Sequence, residues 1–307
     1  MKGLIPSLGD ELRHEDTIVV ATLVSATGTS SKKVGARMYV GASGRLIGGV
    51  TIGGCVDAQV IEAADALIDE GGRKLLSISL DDDEAWEIGL TCGGTVEVLI
   101  EQVKPGDPND PVVAAHRDAA TALDAGEVAE LTTSLGDGRT FVDRLSPATT
   151  VLIVGAGEIA MSLSRIAREL DMHTVVIDGR DRYATRERFP DAGEIRVGMP
   201  SEIVMSYRLT PQIAVVLVAH DYKYELPVLR ALLRSEVGYL GMLGSKKRGV
   251  AVRDLLKEEG FTDDELARVR TPIGLDIGGK APGEVALSIL AEVVGVRSGR
   301  ISSGTRV

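Results

Sequence analysis

Two cysteines stand in the chain, each beside a glycine pair: Gly53-Gly54-Cys55 and Cys92-Gly93-Gly94. Glycine pairs remove side-chain bulk and permit unusual backbone angles, so they mark places where another group approaches the main chain. Helical apolar spacing begins at Val56, which sets Cys55 at a helix N-terminus, where the helix field favours a thiolate as nucleophile or soft-metal ligand. A second constellation follows the apolar run 151–154. Gly155 allows a tight turn, Gly157 lets the backbone approach a diphosphate, and Ala160 packs the following helix on its strand. Asp178 stands about 20 residues further on, at a strand end, where a ribose-binding acid belongs. Further polar groups follow later strands: His220 and Asp221, then Gly244, Ser245 and Lys246. The cations Lys246, Lys247 and Arg248 open a helix, where they oppose the macrodipole unless an anion or acid compensates, as a phosphate would. Neither a Cys-x-x-Cys pair nor a Cys/His cluster with zinc spacing occurs, so no metal site is expected. The acidic run 81–84 reads as a solvated loop.

Elements must carry these groups. The chain has 307 residues, beyond the roughly 250–300 at which one core stops growing, so two domains are expected. Hydrophobic residues make up 44% but aromatics only 3%, a composition of Val, Ile, Leu and Ala that suits buried parallel strands. Residues 17–25, 37–40, 46–52, 75–80 and 96–103 read as strands, and 56–68 as a helix stopped at Gly71-Gly72. Proline, glycine and polar residues cluster at 104–111 and suggest a linker. A helix over 112–123 and a hairpin over 128–145, turning at residues 136–138, follow it. From residue 149 strands (151–154, 174–177, 194–197, 213–218, 238–240) alternate with helices, the signature of a doubly wound parallel sheet. The division read is an N-terminal α+β domain over 1–104, a linker and hairpin segment over 105–148, and a Rossmann-like domain over 149–307.

With 45 acidic against 34 basic residues, the net charge of −11 argues against nucleic acid as a partner. No apolar stretch approaches the ~20 residues needed to span a bilayer and no signal core opens the chain, so a cytoplasmic protein with no membrane partner is expected. Two cysteines in so long a chain are no disulfide framework, and a reducing compartment keeps them as thiols.

Taken together, the motifs resemble the XdhC/CoxI family, accessory factors of xanthine dehydrogenase and related molybdenum hydroxylases. The resemblance rests on Ala21-Thr22, residues 28–30 (Gly-Thr-Ser), residues 35–38 (Gly-Ala-Arg-Met), both cysteine motifs, the 155–160 turn, His220-Asp221, residues 241–245, residues 272–278 and the final helix over 284–292. It implies a protein that binds the molybdenum cofactor, as molybdopterin or its dinucleotide form. Such a protein protects the cofactor during sulfuration by a cysteine desulfurase and delivers it to an apo molybdenum hydroxylase; a homodimer is compatible with this. It further implies that Cys55 and Cys92, with Gly53, Gly54 and Gly93, lie near the metal end. Gly155, Gly157, Asp178, His220, Asp221, Gly244, Ser245 and Lys246 would hold the phosphate or nucleotide end. The chain departs from the family at Ser31-Lys32, where Pro-Arg is common, at Asp57, where glutamate is usual, and at Glu225, where aspartate is common; such exchanges bear on cofactor affinity.

Two other classes compete. An NAD(P)-dependent oxidoreductase would use the same turn and Asp178, with His220 as general acid, but it leaves the cysteines and the first domain unexplained. A dithiol redox protein would need Cys55 and Cys92 within about 4.4–6.8 Å between Cα atoms.

Overall fold

A computed structural model describes residues 4–8, 12, 14–27, 33–50, 55–80 and 94–302. The chain divides into two units, Met1–Pro147 and Ala148–Val307. No helix among the described residues is long and apolar enough to cross a membrane.

The first unit is built on an antiparallel sheet of order β3-β2-β1-β5-β4. Its strands are β1 (Ile18–Ala26), β2 (Arg37–Gly41), β3 (Leu46–Gly48), β4 (Arg73–Leu80) and β5 (Gly94–Val103). Between β3 and β4 lies helix α1 (Cys55–Glu70). Its Val56, Val60, Ala64 and Leu67 recur at helical spacing and pack on Val19, Ala21, Met38, Val98 and Ile100 of the sheet. Gly71 (φ +77°) and Gly72 (φ +88°) end it in the left-handed region that favours glycine. The opposite sheet face, with Ile18, Val20, Tyr39 and Val103, is covered by Ile5, Leu8, Leu12 and Val113. Burial on both faces explains why β1 is apolar almost throughout.

Residues 105–147 belong to this unit. Helix α2 (Pro111–Asp124) starts at Asp110, whose carboxylate accepts from the Val112 and Val113 amides, with Pro111 in the first turn. Strands β6 (Ala129–Ser134) and β7 (Thr140–Leu145) form the hairpin. Asp143 of β7 reaches β2, where it pairs with Arg37 at 2.8 Å, both side chains buried.

The second unit is a six-stranded parallel sheet of order β10-β9-β8-β11-β12-β13. In chain order it runs β8 (Thr150–Val154), α3 (Glu158–Glu169), β9 (His173–Asp178), β10 (Glu194–Val197), α4 (Pro200–Met205), β11 (Ile213–Leu217), α5 (Tyr222–Leu232), β12 (Tyr239–Met242), α6 (Lys246–Glu258), α7 (Asp263–Ala267), β13 (Val269–Arg270) and α8 (Pro282–Arg297). Consecutive residues of β8 serve opposite layers. Val151 and Ile153 face Leu163 of α3 and Ile289, Leu290 and Val293 of α8. Leu152 and Val154 face Ile203 of α4, Val228 and Leu232 of α5, and Val252 and Leu256 of α6. Helices on both faces make the expected doubly wound fold, in which β8 after Thr150, and β11 throughout, carry no polar residue because neither face meets water. Strand β13 and helix α7 have no counterpart in the sequence reading; at two and five residues they are too short for periodicity to register. A buried carboxylate, Glu292 of α8, accepts from Arg270 (2.8 Å), the Tyr239 hydroxyl (2.7 Å) and the Gly274 amide (2.9 Å), and so fixes the loop after β13.

Candidate functional site

All six strands of the second sheet run the same way, so the turns after β8, β9, β11 and β12 emerge at one edge. The chain leaves β8 for β9 and β10 on one side and then crosses to β11 on the other. Beyond this switch point is where doubly wound sheets collect ligands. Gly155 makes the turn there at φ +111°. A Cβ on it would lie 2.6 Å from the N and Cα of Ala219, so the β8 turn and the loop after β11 touch backbone to backbone. Gly157 differs. It opens α3 at φ −84° and has nothing within 4 Å of its virtual Cβ, and no side chain caps the helix amides behind it. An uncapped helix N-terminus with open space beside its cap residue is a place that suits an anion.

Asp178 ends β9 with its side chain 1% exposed. Both oxygens are engaged. Oδ2 accepts from the Ala156 amide (2.8 Å) and Arg180 Nη2 (2.8 Å); Oδ1 accepts from the Arg180 amide (2.9 Å) and Nε (2.9 Å). Burial pushes this carboxyl up, but the Arg180 and Ala156 hydrogen bonds outweigh it and hold Asp178 below the ordinary carboxylate range. It is therefore a fixed anion that grips the glycine turn. The other end of the same residue is held too, since Arg188 Nη1 donates to the Ala156 carbonyl (2.9 Å) and to the Tyr183 carbonyl (2.7 Å). Arg180 stacks on the Tyr183 ring at 4.0 Å. Sequence reading missed Arg180, Tyr183 and Arg188; a cation two residues after the strand-end acid was the available signal.

On the other side of β8, His220 lies in the left-handed region (φ +57°), a conformation uncommon outside glycine. Its amide donates to Glu225 Oε1 (2.9 Å), which secures the turn. Asp221 caps α5 by accepting from the Lys223 amide (2.9 Å). Glu225 is wholly buried and pairs with Arg248 of α6, whose guanidinium stacks on Tyr222 at 4.2 Å. Burial raises the Glu225 carboxyl above its ordinary range, against the pull of Arg248. Ser245 caps α6 by accepting from the Arg248 amide (3.2 Å), and Gly244 is tight against Arg248, a Cβ there falling 2.8 Å from Cδ. One of the three helix-opening cations is thus compensated by an acid from within the protein, Glu225. Lys246 and Lys247 are exposed and have no partner among the described residues. The two sides meet above β8, where Gly179 abuts the Tyr224 hydroxyl, 2.7 Å from a virtual Cβ.

The first unit's candidate residues are described only in part. Cys55 is the first residue of α1, which gives it the helix N-terminus. Gly53, Gly54, Cys92 and Gly93 lie outside the described residues. Among the described residues no three His, Cys, Asp or Glu side chains gather as a metal-ligand set.

Comparison with known proteins covers both units. Residues 151–293 match the family described as XdhC Rossmann domain, and residues 12–79 match the XdhC and CoxI family. A protein of Bacillus subtilis (strain 168) named as a probable xanthine dehydrogenase subunit is 25% identical, over 93% of this chain and 95% of the relative. A molybdenum cofactor insertion chaperone of Escherichia coli (strain K12), PaoD, is 27% identical over 91% of this chain and 83% of that protein. A crystal structure of a xanthine dehydrogenase from Bacillus halodurans shares the fold with a TM-score of 0.78 at 25% identity, covering 94% of each chain.

Proposed function

This chain belongs to the XdhC and CoxI family, and from that premise we propose that it is an accessory protein that carries molybdenum cofactor to a xanthine dehydrogenase-type hydroxylase. Its cargo is a pterin whose dithiolene holds the metal and whose side chain ends in phosphate. The protein shields this cargo, presents it to a cysteine desulfurase for sulfuration and hands it to the apo-hydroxylase. In this reading Cys55, with Cys92, attends the metal end, where soft sulfur donors suit molybdenum. The crevice of the second unit takes the phosphate end. Lys246 and the open amides at Gly157 supply positive potential there, and Arg180 adds a guanidinium.

The observation that carries the reading is the pair of family matches in chain order, one over the unit that holds Cys55 and one over the unit that holds the crevice. The residues fit a carried anion. Helix α3 begins without a side-chain cap and opens onto space at Gly157, and α1 begins with a cysteine. A dehydrogenase reading is weakened by the same geometry, because the acid that would hold the nicotinamide ribose is occupied on both oxygens.

The test is fluorescence of oxidised pterin after gel filtration, together with activation of an apo-hydroxylase, for wild type and Cys55→Ala. Wild type should retain pterin; the variant should retain less or fail to activate while folding normally. Equal retention with equal activation strips Cys55 of its role. Substrate-dependent NADH oxidation would move the assignment to the dehydrogenase class.

A further inference from the structure

We propose that Arg180 determines the class of ligand at the switch-point crevice: a ligand ending in a phosphate monoester is taken, and a bare ribose diol is refused. The proposal rests on the reading that this crevice holds the phosphate end of a cargo. Asp178 is the first reason. An ionised carboxylate has about four acceptor sites, and four donors already fill them: the Ala156 and Arg180 amides, Arg180 Nε and Arg180 Nη2, all between 2.8 and 2.9 Å. A ribose offering two hydroxyls would have to displace a charge-assisted fork and the amide that shapes the glycine turn. Asp178 is thus a support for Arg180 in place of a ligand acid.

Arg180 is the opposite case. A guanidinium has five N–H donors; Asp178 takes two of them, and the other three have no partner among the described residues. The side chain is 47% exposed, which leaves it within reach of a ligand. Its plane is held by the Asp178 fork on one edge and by Tyr183 at 4.0 Å on one face, which is the pre-orientation that makes arginine suited to phosphate. Its position is also set. One carboxylate, Asp178, bridges the guanidinium to the Ala156 amide, so Arg180 stands beside the turn that leads into the open N-terminus of α3. A phosphate at this place meets a guanidinium and helix amides together. The competing account is an ordinary surface ion pair, worth little and indifferent to ligands.

The experiment uses the full chain and two probes, NADPH and NADH, which differ by one phosphate on the ribose. Titration at low ionic strength should show NADPH binding at least about tenfold more tightly. Arg180→Ala should reduce that preference to within about threefold, and Arg180→Lys should keep part of it, since lysine supplies the charge without the fork. The double variant Asp178→Asn/Arg180→Gln removes both charges together, leaves no buried carboxylate unpaired and should also lose the preference. Equal affinities, tighter NADH binding or no binding of either probe by wild type would overturn the proposal. Pterin retention by the same samples separates this result from the cofactor-carrier reading. Retention without phosphate preference sinks Arg180 and leaves the carrier; preference without retention does the reverse. If Arg180→Ala loses both, the phosphate recognised is the pterin's own; if pterin retention survives, it is a nucleotide's.

Discussion

Gly155 and Gly157 stand two residues apart in one turn, yet alanine should act on them in opposite ways. At Gly155 the backbone sits at φ +111°, outside the region open to L-residues, which costs about 1–2 kcal/mol. The new methyl would also lie 2.6 Å from Ala219 N and Cα, and 2.9 Å from the Val218 carbonyl carbon. Reaching ordinary contact at 3.4 Å requires the two loops to part by about 0.8 Å, and both are backbone, with no flexible side chain to yield. Overpacking of this kind costs about 1–3 kcal/mol more. The sum, about 2–5 kcal/mol, should lower the melting temperature of this unit by roughly 4–20 °C, taking about 2–4 °C per kcal/mol. Gly157→Ala meets an allowed φ of −84° and open space. Its stability should change by less than about 1 kcal/mol, while its methyl intrudes on the anion's approach and should weaken pterin retention. Circular dichroism melts and pterin fluorescence after gel filtration measure the two effects separately. A Gly155→Ala protein that melts within about 2 °C of wild type would refute the close-packing argument. A Gly157→Ala protein with full retention would refute the open-amide argument.

Glu292→Leu should destabilise the second unit by about 3–5 kcal/mol in a thermal melt, because it leaves Arg270 buried without its acid; the paired change Arg270→Met/Glu292→Leu should recover much of that loss. His116 is buried and accepts from the Ile5 amide at Nδ1 (3.2 Å), and burial, helped by Arg37, lowers its pKa to about 3. The folded state therefore keeps it neutral while the unfolded chain protonates near pH 6.5. This contribution is complete above pH 6.5 and is lost as pH falls, by about 1.4 kcal/mol at pH 5.5. His116→Gln should flatten the wild-type decline in stability between pH 6.5 and 5, measured by urea denaturation; an unchanged slope would contradict a neutral buried histidine.

How far the fold was legible follows from periodicity. The parallel strands were readable because helices cover both faces, so Val151 to Val154 carry no polar interruption. Helix α1 was readable because Val56, Val60, Ala64 and Leu67 form one stripe closed by Gly71. Residues 104–111 read as a linker because they are rich in proline, glycine and polar residues; the last two of them start the helix read over 112–123, Asp110 as cap and Pro111 in its first turn. One of the contacts that join the hairpin to the sheet, the Arg37–Asp143 pair, is between residues more than 100 positions apart, and spacing along a chain contains no signal for it.

The site was legible in its places and less so in its partners. Strand ends locate Gly155, Asp178, His220 and Lys246 at one edge because parallel strands deliver their turns to one edge. Whether a charged group there is offered to a ligand or consumed by the protein depends on its neighbours in space. Glu225 neutralises Arg248 and so leaves Lys246 and Lys247 as the outward cations. Asp178, which by position in a nucleotide-binding turn would meet a ribose, is enclosed by Arg180 and the Ala156 amide. The same acid at the same strand end can therefore bind sugar or hold the arginine that binds phosphate. The difference lies in residue 180, whose guanidinium is long enough to fold back onto the acid and still face outward, so the class of ligand is set two residues beyond the position that the fingerprint reads.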